Sequence, residues 1–345
     1  MSEVRNLALL PKAHLHVHLE AAVRPEVARA LAAECGVSIP PLSYTGDFSG
    51  FADAFLGLLE LVTYPGMLER FILEAALDAA AEGVVYLELG VSPQYYAGRF
   101  GSTEAALEAV VAAAAAAAMQ TGVTVGVMVT VDRTAGVDEA VELAELAVRF
   151  AGRGVVSLGL ANNEVGHPAE QFEAAFAIAK AAGLASTPHA GELAGASAVA
   201  AVVDVLHADR VQHGIRVVED ERVVQRLTEL DICLDVCPTS NVLLGIAPSL
   251  ETHPLPRLLV AGVSCSINAD DPTLFGASIL DEYENCRSGM GLTDEQLAGC
   301  ARSSVRHSPL DGDDLRSALD GIDAWLSSQP AAVTATSNLS KGNVR

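Results

Sequence analysis

Short apolar runs rich in β-branched residues recur along the chain, separated by longer segments dominated by Ala, Leu and Glu. The runs occupy 13–20, 84–91, 123–131, 155–161, 184–189, 210–215, 232–236 and 263–268. Most are continuously apolar rather than alternating, the pattern of strands buried on both faces. Helical composition fills 104–120, 137–150, 170–182, 194–206 and 220–230. This alternation predicts an α/β fold with a parallel sheet. Eight such units in 345 residues predict a closed (β/α)8 barrel, the TIM barrel, rather than an open sheet.

Two regions break the rhythm. Residues 21–83 are too long for one connection and read as helices around 25–35, 51–62 and 66–81, with a polar turn near 43–50. They predict a helical insertion after strand 1 that caps the barrel mouth. From residue 327 on, Ser, Thr, Ala and Asn dominate. The expected organisation is one barrel domain over 1–327 and a mobile tail over 328–345.

Composition narrows the class of partner. Half the residues are hydrophobic, which allows a large core and excludes global disorder. The net charge of -23 repels phosphate backbones and anionic lipid, so neither nucleic acid nor membrane is an expected partner. Its plainer consequence is solubility. The first residues lack a secretory signal, and no long uncharged apolar stretch reads as a membrane span. The alanine run 112–118 is helix filler. The six cysteines form no C-x-x-C pair, and reduced thiols in a cytoplasmic protein are expected.

In such a barrel, chemistry sits at the C-terminal ends of the strands. Strand 1 ends in His16-Val17-His18-Leu19-Glu20, strand 5 in His189-Ala190-Gly191-Glu192 and strand 6 in His213-Gly214. Strand 7 runs into Cys237-Pro238-Thr239-Ser240-Asn241, and strand 8 into Asn268-Ala269-Asp270-Asp271-Pro272. Residues two apart in a strand share a face, so His16 and His18 can aim at one metal. His189 and Asp270 would complete three nitrogens and one oxygen, a set suited to Zn2+ with a position left for water. Chance is the plainer reading of H-x-H alone. Its conjunction with the later strand ends argues against chance.

These segments, with Pro11 to Ala13, Ser92-Pro93 and Asn163-Glu164, resemble in order the adenosine deaminase family over roughly 11–310. H-A-G-E and D-D-P are the specific ones. The resemblance implies zinc-dependent hydrolytic deamination of a 6-aminopurine nucleoside, giving an inosine-like product and ammonia, with one zinc per subunit. It implies that His16, His18, His189 and Asp270 are the metal ligands. Glu192 matches the acid that protonates the purine ring nitrogen beside the carbon under attack, a role that needs a pKa raised by burial. His213 matches the residue that orients the attacking oxygen and helps move its proton. Asp271 matches the carboxylate that contacts the attacking water and a ring nitrogen. The substrate-binding residues implied are His18, Glu20, Asn162 and Asp271, and Ser240 would support the ligands.

Three positions depart from the adenosine-specific pattern: Ala21, Asn162 and Gly90 each stand where it has another residue. Segment 163–168 is also similar to the adenine deaminase branch. Adenine, or a modified adenosine such as aminodeoxyfutalosine, is therefore an alternative substrate. A metal-dependent hydrolase of a non-purine amide or lactone is the alternative of another class; the strand ends offer no bridging Lys, which favours one metal. A non-catalytic binding protein is disfavoured by the intact ligand set. The cytidine deaminases need H-x-E and P-C-x-x-C; here Glu192 comes three places after His189, not two, and Cys237-Pro238 has no second Cys near it. His14 is expected to be packed and hydrogen-bonded, and Cys237 a buried structural thiol. His167, His207, His253 and His307 are expected on the surface or in loops.

Overall fold

The computed structural model describes residues 4–39, 41–42 and 48–329. Its strands are β1 (Lys12–His18), β2 (Val84–Val91), β3 (Thr124–Asp132), β4 (Val155–Ala161), β5 (Ala185–Ala190), β6 (Arg210–His213), β7 (Cys233–Val236) and β8 (Cys265–Ile267). All neighbours pair in parallel and in sequence order. This is the expected TIM barrel, with each strand end within two residues of its predicted place.

The seam between β8 and β1 is closed by one bridge, Val17 to Asp270. His18 N–H donates to the Asp270 carbonyl at 3.0 Å, and Asp270 N–H to the His16 carbonyl at 3.1 Å. Just below, the Asn268 side-chain oxygen accepts the N–H groups of Leu15 (2.7 Å) and His16 (3.2 Å). A side-chain amide thus replaces ladder bonds that the short β8 cannot supply. The same seam sets His16, His18 and Asp270 side by side.

Between β1 and β2 lie α1 (Pro25–Cys35), α2 (Phe48–Val62) and α3 (Met67–Ala81), the predicted insertion. α1 opens with Pro at its first turn and stops at Gly36, whose φ of 67° suits a residue without Cβ. α2 starts three residues earlier than its apolar pattern suggested. It carries Phe51 over the mouth, stacked on Phe275 at 5.3 Å between ring centroids. Residues 43–47 of the predicted polar turn lie outside the described residues, as does nearly all of the predicted tail. Among the described residues, no single helix is long and apolar enough to cross a membrane.

The other end of the barrel is filled by an ionic layer. Arg210, 2 % exposed, pairs with Glu88 (2.6 Å) and Asp235 (3.0 Å). Tyr86 and Ser157 hydroxyls also donate to Glu88 (3.0 and 2.7 Å), and Ser266 to Asp235 (2.7 Å). The buried charges are thereby paired and hydrogen-bonded, as burial demands.

Candidate active site

At the C-terminal end of the strands, His16, His18, His189 and Asp270 offer donor atoms that all lie within 4.8 Å of one another. They come from β1, β5 and the residue that bridges β8 to β1. His16 Nδ1 lies 3.2 Å from the Asp235 carbonyl and 3.3 Å from Cys237 Sγ. A carbonyl only accepts, so Nδ1 carries the proton and Nε2 keeps its lone pair. That Nε2 is buried, lies 3.2 Å from Asp270 Oδ1, and has no hydrogen-bond partner. Burial, then the neighbouring imidazoles, pushes the His189 pKa well below its ordinary value, so it stays neutral. Three imidazoles, one carboxylate and an orphaned buried nitrogen fit a borderline divalent cation.

Ser240 Oγ donates to Asp270 Oδ2 at 2.6 Å, as expected of a supporting residue. Cys237 is fully buried, and its pKa is raised by that burial, in line with a structural thiol. His14 is buried, its Nε2 accepting Ala269 N–H at 3.2 Å.

Glu192 lies on the turn after β5. Gly191, at φ 70°, makes this turn; a Cβ there would meet Val199 Cγ2 at 2.4 Å. The Glu164 carboxylate, from the end of β4, accepts the N–H groups of Gly191 (3.0 Å), Glu192 (2.9 Å) and Leu193 (2.7 Å). Burial, then the charges of Asp270 and Glu164, raises the Glu192 pKa well above its ordinary value. Asp271 is likewise raised by burial and by Asp270.

His213, at φ 61°, is oriented by a chain of hydrogen bonds. Leu255 N–H donates to His253 Nδ1 (3.1 Å), which leaves the proton of His253 on Nε2, facing Asn241 Oδ1 (3.2 Å). Asn241 Nδ2 in turn faces His213 Nδ1 at 3.2 Å. His213 therefore carries its proton on Nε2, which lies 3.6 Å from Glu192 Oε1 and 3.7 Å from Asp270 Oδ2. His253 lies in a loop, as expected, but is 3 % exposed, which corrects its reading as a surface residue. It follows Thr252 in an irregular segment where no periodicity marks burial, so the sequence carried no signal for it.

These groups open onto a cavity of about 290 Å³. His18, His189, Glu192, His213, Asp270 and Asp271 line it, and His16 lies buried beneath. Asn162 also lines it, at φ 77°, the left-handed conformation that Asn tolerates. Glu20 is not among the lining residues. It is buried, accepting the Tyr96 hydroxyl at 2.5 Å. Gly90 faces Met128, whose Cε would lie 2.9 Å from an added Cβ. Ala21 is fully buried. The roles of Glu164 and Asn241 were not legible, although both stand in motifs; a charged residue closing an apolar strand was the available sign for Glu164.

The sequence profile of the adenosine deaminase family matches residues 11–325. The chain belongs to this family. It is thus a hydrolase acting on carbon–nitrogen bonds. Within the adenosine deaminase family, the chain is 39 % identical over 340 residues to a Streptomyces virginiae protein provisionally named adenosine/adenine deaminase, covering 94 % of this chain and 99 % of that one. Among solved structures, an adenine deaminase from Arthrobacter aurescens superimposes with a TM-score of 0.85 at 31 % identity, covering 92 % of this chain and 100 % of that one. An amidohydrolase from Burkholderia ambifaria, solved with bound Zn, gives 0.81 at 28 % identity and covers 93 % of each chain.

Proposed function

We propose that this protein carries out the zinc-dependent hydrolytic deamination of a 6-aminopurine nucleoside, with one zinc per subunit. One observation carries the reading. A buried carboxyl whose pKa is raised by its burial, Glu192, faces the same cavity as the four-donor cluster of His16, His18, His189 and Asp270.

Those four residues would hold the metal, and the zinc found in the Burkholderia amidohydrolase supports the choice of ion. A bound zinc supplies Lewis acidity, lowering the pKa of water toward neutrality. Glu192 donates its proton to the ring nitrogen beside the amino-bearing carbon. His213, held with its proton on Nε2, orients the attacking oxygen. Asp271, buried with Oδ1 unpartnered, is placed to contact the attacking water or a ring nitrogen. One water is consumed, and the amino group leaves as ammonia. Phe51, Phe55 and Leu56 of the insertion line the cavity and keep bulk water from the reacting atoms.

Free adenine is the second reading, favoured by the likeness to the Arthrobacter adenine deaminase. Ammonia release by zinc-loaded protein, measured with adenosine, deoxyadenosine, adenine and 5′-modified adenosines, tests both. Turnover of at least one is expected; no turnover of any aminopurine overturns the reading.

A further inference from the structure

The cavity has a second polar wall, across the mouth from the metal-ligand cluster, that the deamination chemistry does not use. It is built from the end of β3, with Asn162 after β4 and Tyr95 after β2. Thr130 and Asp132 are two apart in β3 and share a face. Asp132 is 9 % exposed and lines the cavity. Its Oδ1 accepts Thr134 N–H (2.8 Å), Thr134 Oγ1 (2.7 Å) and Asn162 Nδ2 (3.1 Å). Among the described residues its Oδ2 accepts the Tyr95 hydroxyl alone, which leaves a lone pair for one more donor. Below it, Thr130 is 2 % exposed, lines the same cavity, and its Oγ1 has no hydrogen-bond partner. A buried hydroxyl without a partner is costly, and is satisfied most simply by a ligand or water in the cavity.

This wall cannot serve the reacting ring. The base must lie with its amino-bearing carbon against Glu192, His213 and the ligand cluster, all on the β5, β6, β8 and β1 side. What reaches β3 is whatever the ring carries on its far edge. The wall offers one anionic acceptor and one free hydroxyl, the complement of a polyol. Charge sets a second limit. Asp132, Glu192, Asp270 and Asp271 line the cavity, and no Lys or Arg is among its described lining residues. Arg133, next in sequence, turns away and donates to the His189 carbonyl at 2.6 Å. A phosphate on the far edge would meet the Asp132 carboxylate with no Lys or Arg lining the cavity beside it.

We infer that Asp132, with Thr130, determines substrate specificity by receiving the hydroxyls of a sugar on the purine, so that the enzyme prefers neutral nucleosides to the free base and to nucleotides. This rests on the deaminase reading above and deepens it. A free base leaves both groups unpaired, and a site built around hydrogen bonds rejects ligands that leave it unpaired.

The test is the ratio of kcat/KM for adenosine over adenine, and for adenosine over adenosine 5′-monophosphate, in the zinc-loaded enzyme. Both ratios are expected to exceed tenfold in the wild type. Asp132→Asn and Thr130→Val are each expected to lower the adenosine-to-adenine ratio by at least fivefold. Should Asp132→Asn fail to fold, the near-isosteric Thr130→Val carries the comparison alone. Wild-type ratios at or below one, or an adenosine-to-adenine ratio unmoved in the soluble variants, overturn this inference while leaving the deaminase reading intact. Absence of turnover with all three compounds overturns both.

Discussion

The Glu164 carboxylate holds the backbone N–H of Glu192 at 2.9 Å, so one buried acid positions another. Glu164 is 5 % exposed and also takes the N–H groups on either side. A Gln at this position has one acceptor oxygen and cannot receive all three. Glu164→Gln is expected to lower kcat by about a hundredfold through misplacement of the acid, with bound zinc retained. Zinc content measured beside steady-state kinetics checks this; an unchanged kcat would refute the positioning role.

Removing the acid itself has a sharper signature. Glu192→Gln keeps the shape of the side chain and loses the donated proton. Zinc content should stay at one per chain, while kcat falls by about 10²- to 10⁴-fold, the usual contribution of a positioned acid. An active variant would contradict the assignment.

The raised pKa of Glu192 has a definite sign for the pH profile. The protonated form is the competent one. An ordinary Glu loses its proton near pH 4.3, so an unshifted donor would already be ionised at neutral pH. Activity is therefore expected to persist above the pH at which an ordinary Glu has ionised, and to fall at the higher pH where Glu192 ionises. A kcat profile that falls between pH 4 and 5 would rule out this protonation state.

His253 acts at a distance, through Asn241, on the proton position of His213. His253→Leu preserves bulk but removes the donor to Asn241. The amide is then free to turn, and His213 loses its preferred tautomer. A drop in kcat of about tenfold is expected, with KM little changed; a purely structural role would instead show as lower unfolding stability with unaltered kinetics.

Stability at the opposite end of the barrel depends on Arg210. Arg210→Met leaves Glu88 and Asp235 buried without a counter-charge. Loss of one partner from a buried ion pair costs about 3–5 kcal/mol. A loss of unfolding free energy in urea smaller than about 1 kcal/mol would show that the carboxylates take up protons or water at little cost.

Much of this protein was legible from its residues. Strand–helix alternation is a property of local pattern, because parallel strands buried on both faces read as apolar runs of a length that helices do not share. The strand ends followed, and with them His16, His18, His189, Glu192, His213, Asp270 and Asp271, since position at a strand end is a matter of spacing. Supporting contacts were less accessible. Ser240 could be anticipated from its motif, but the reach of Glu164 to Glu192 and of His253 to Asn241 joins residues 28 and 12 apart through paths that no periodicity encodes. The H-x-H pair by itself determined only that two imidazoles share a face. Barrel closure, through Asn268 and the bridge at Asp270, decided that they meet a third imidazole and a carboxylate at one point. The same closure set Asp132 and Thr130 into the shared cavity, because which polar groups face one another depends on the curvature of the whole sheet and not on any one strand.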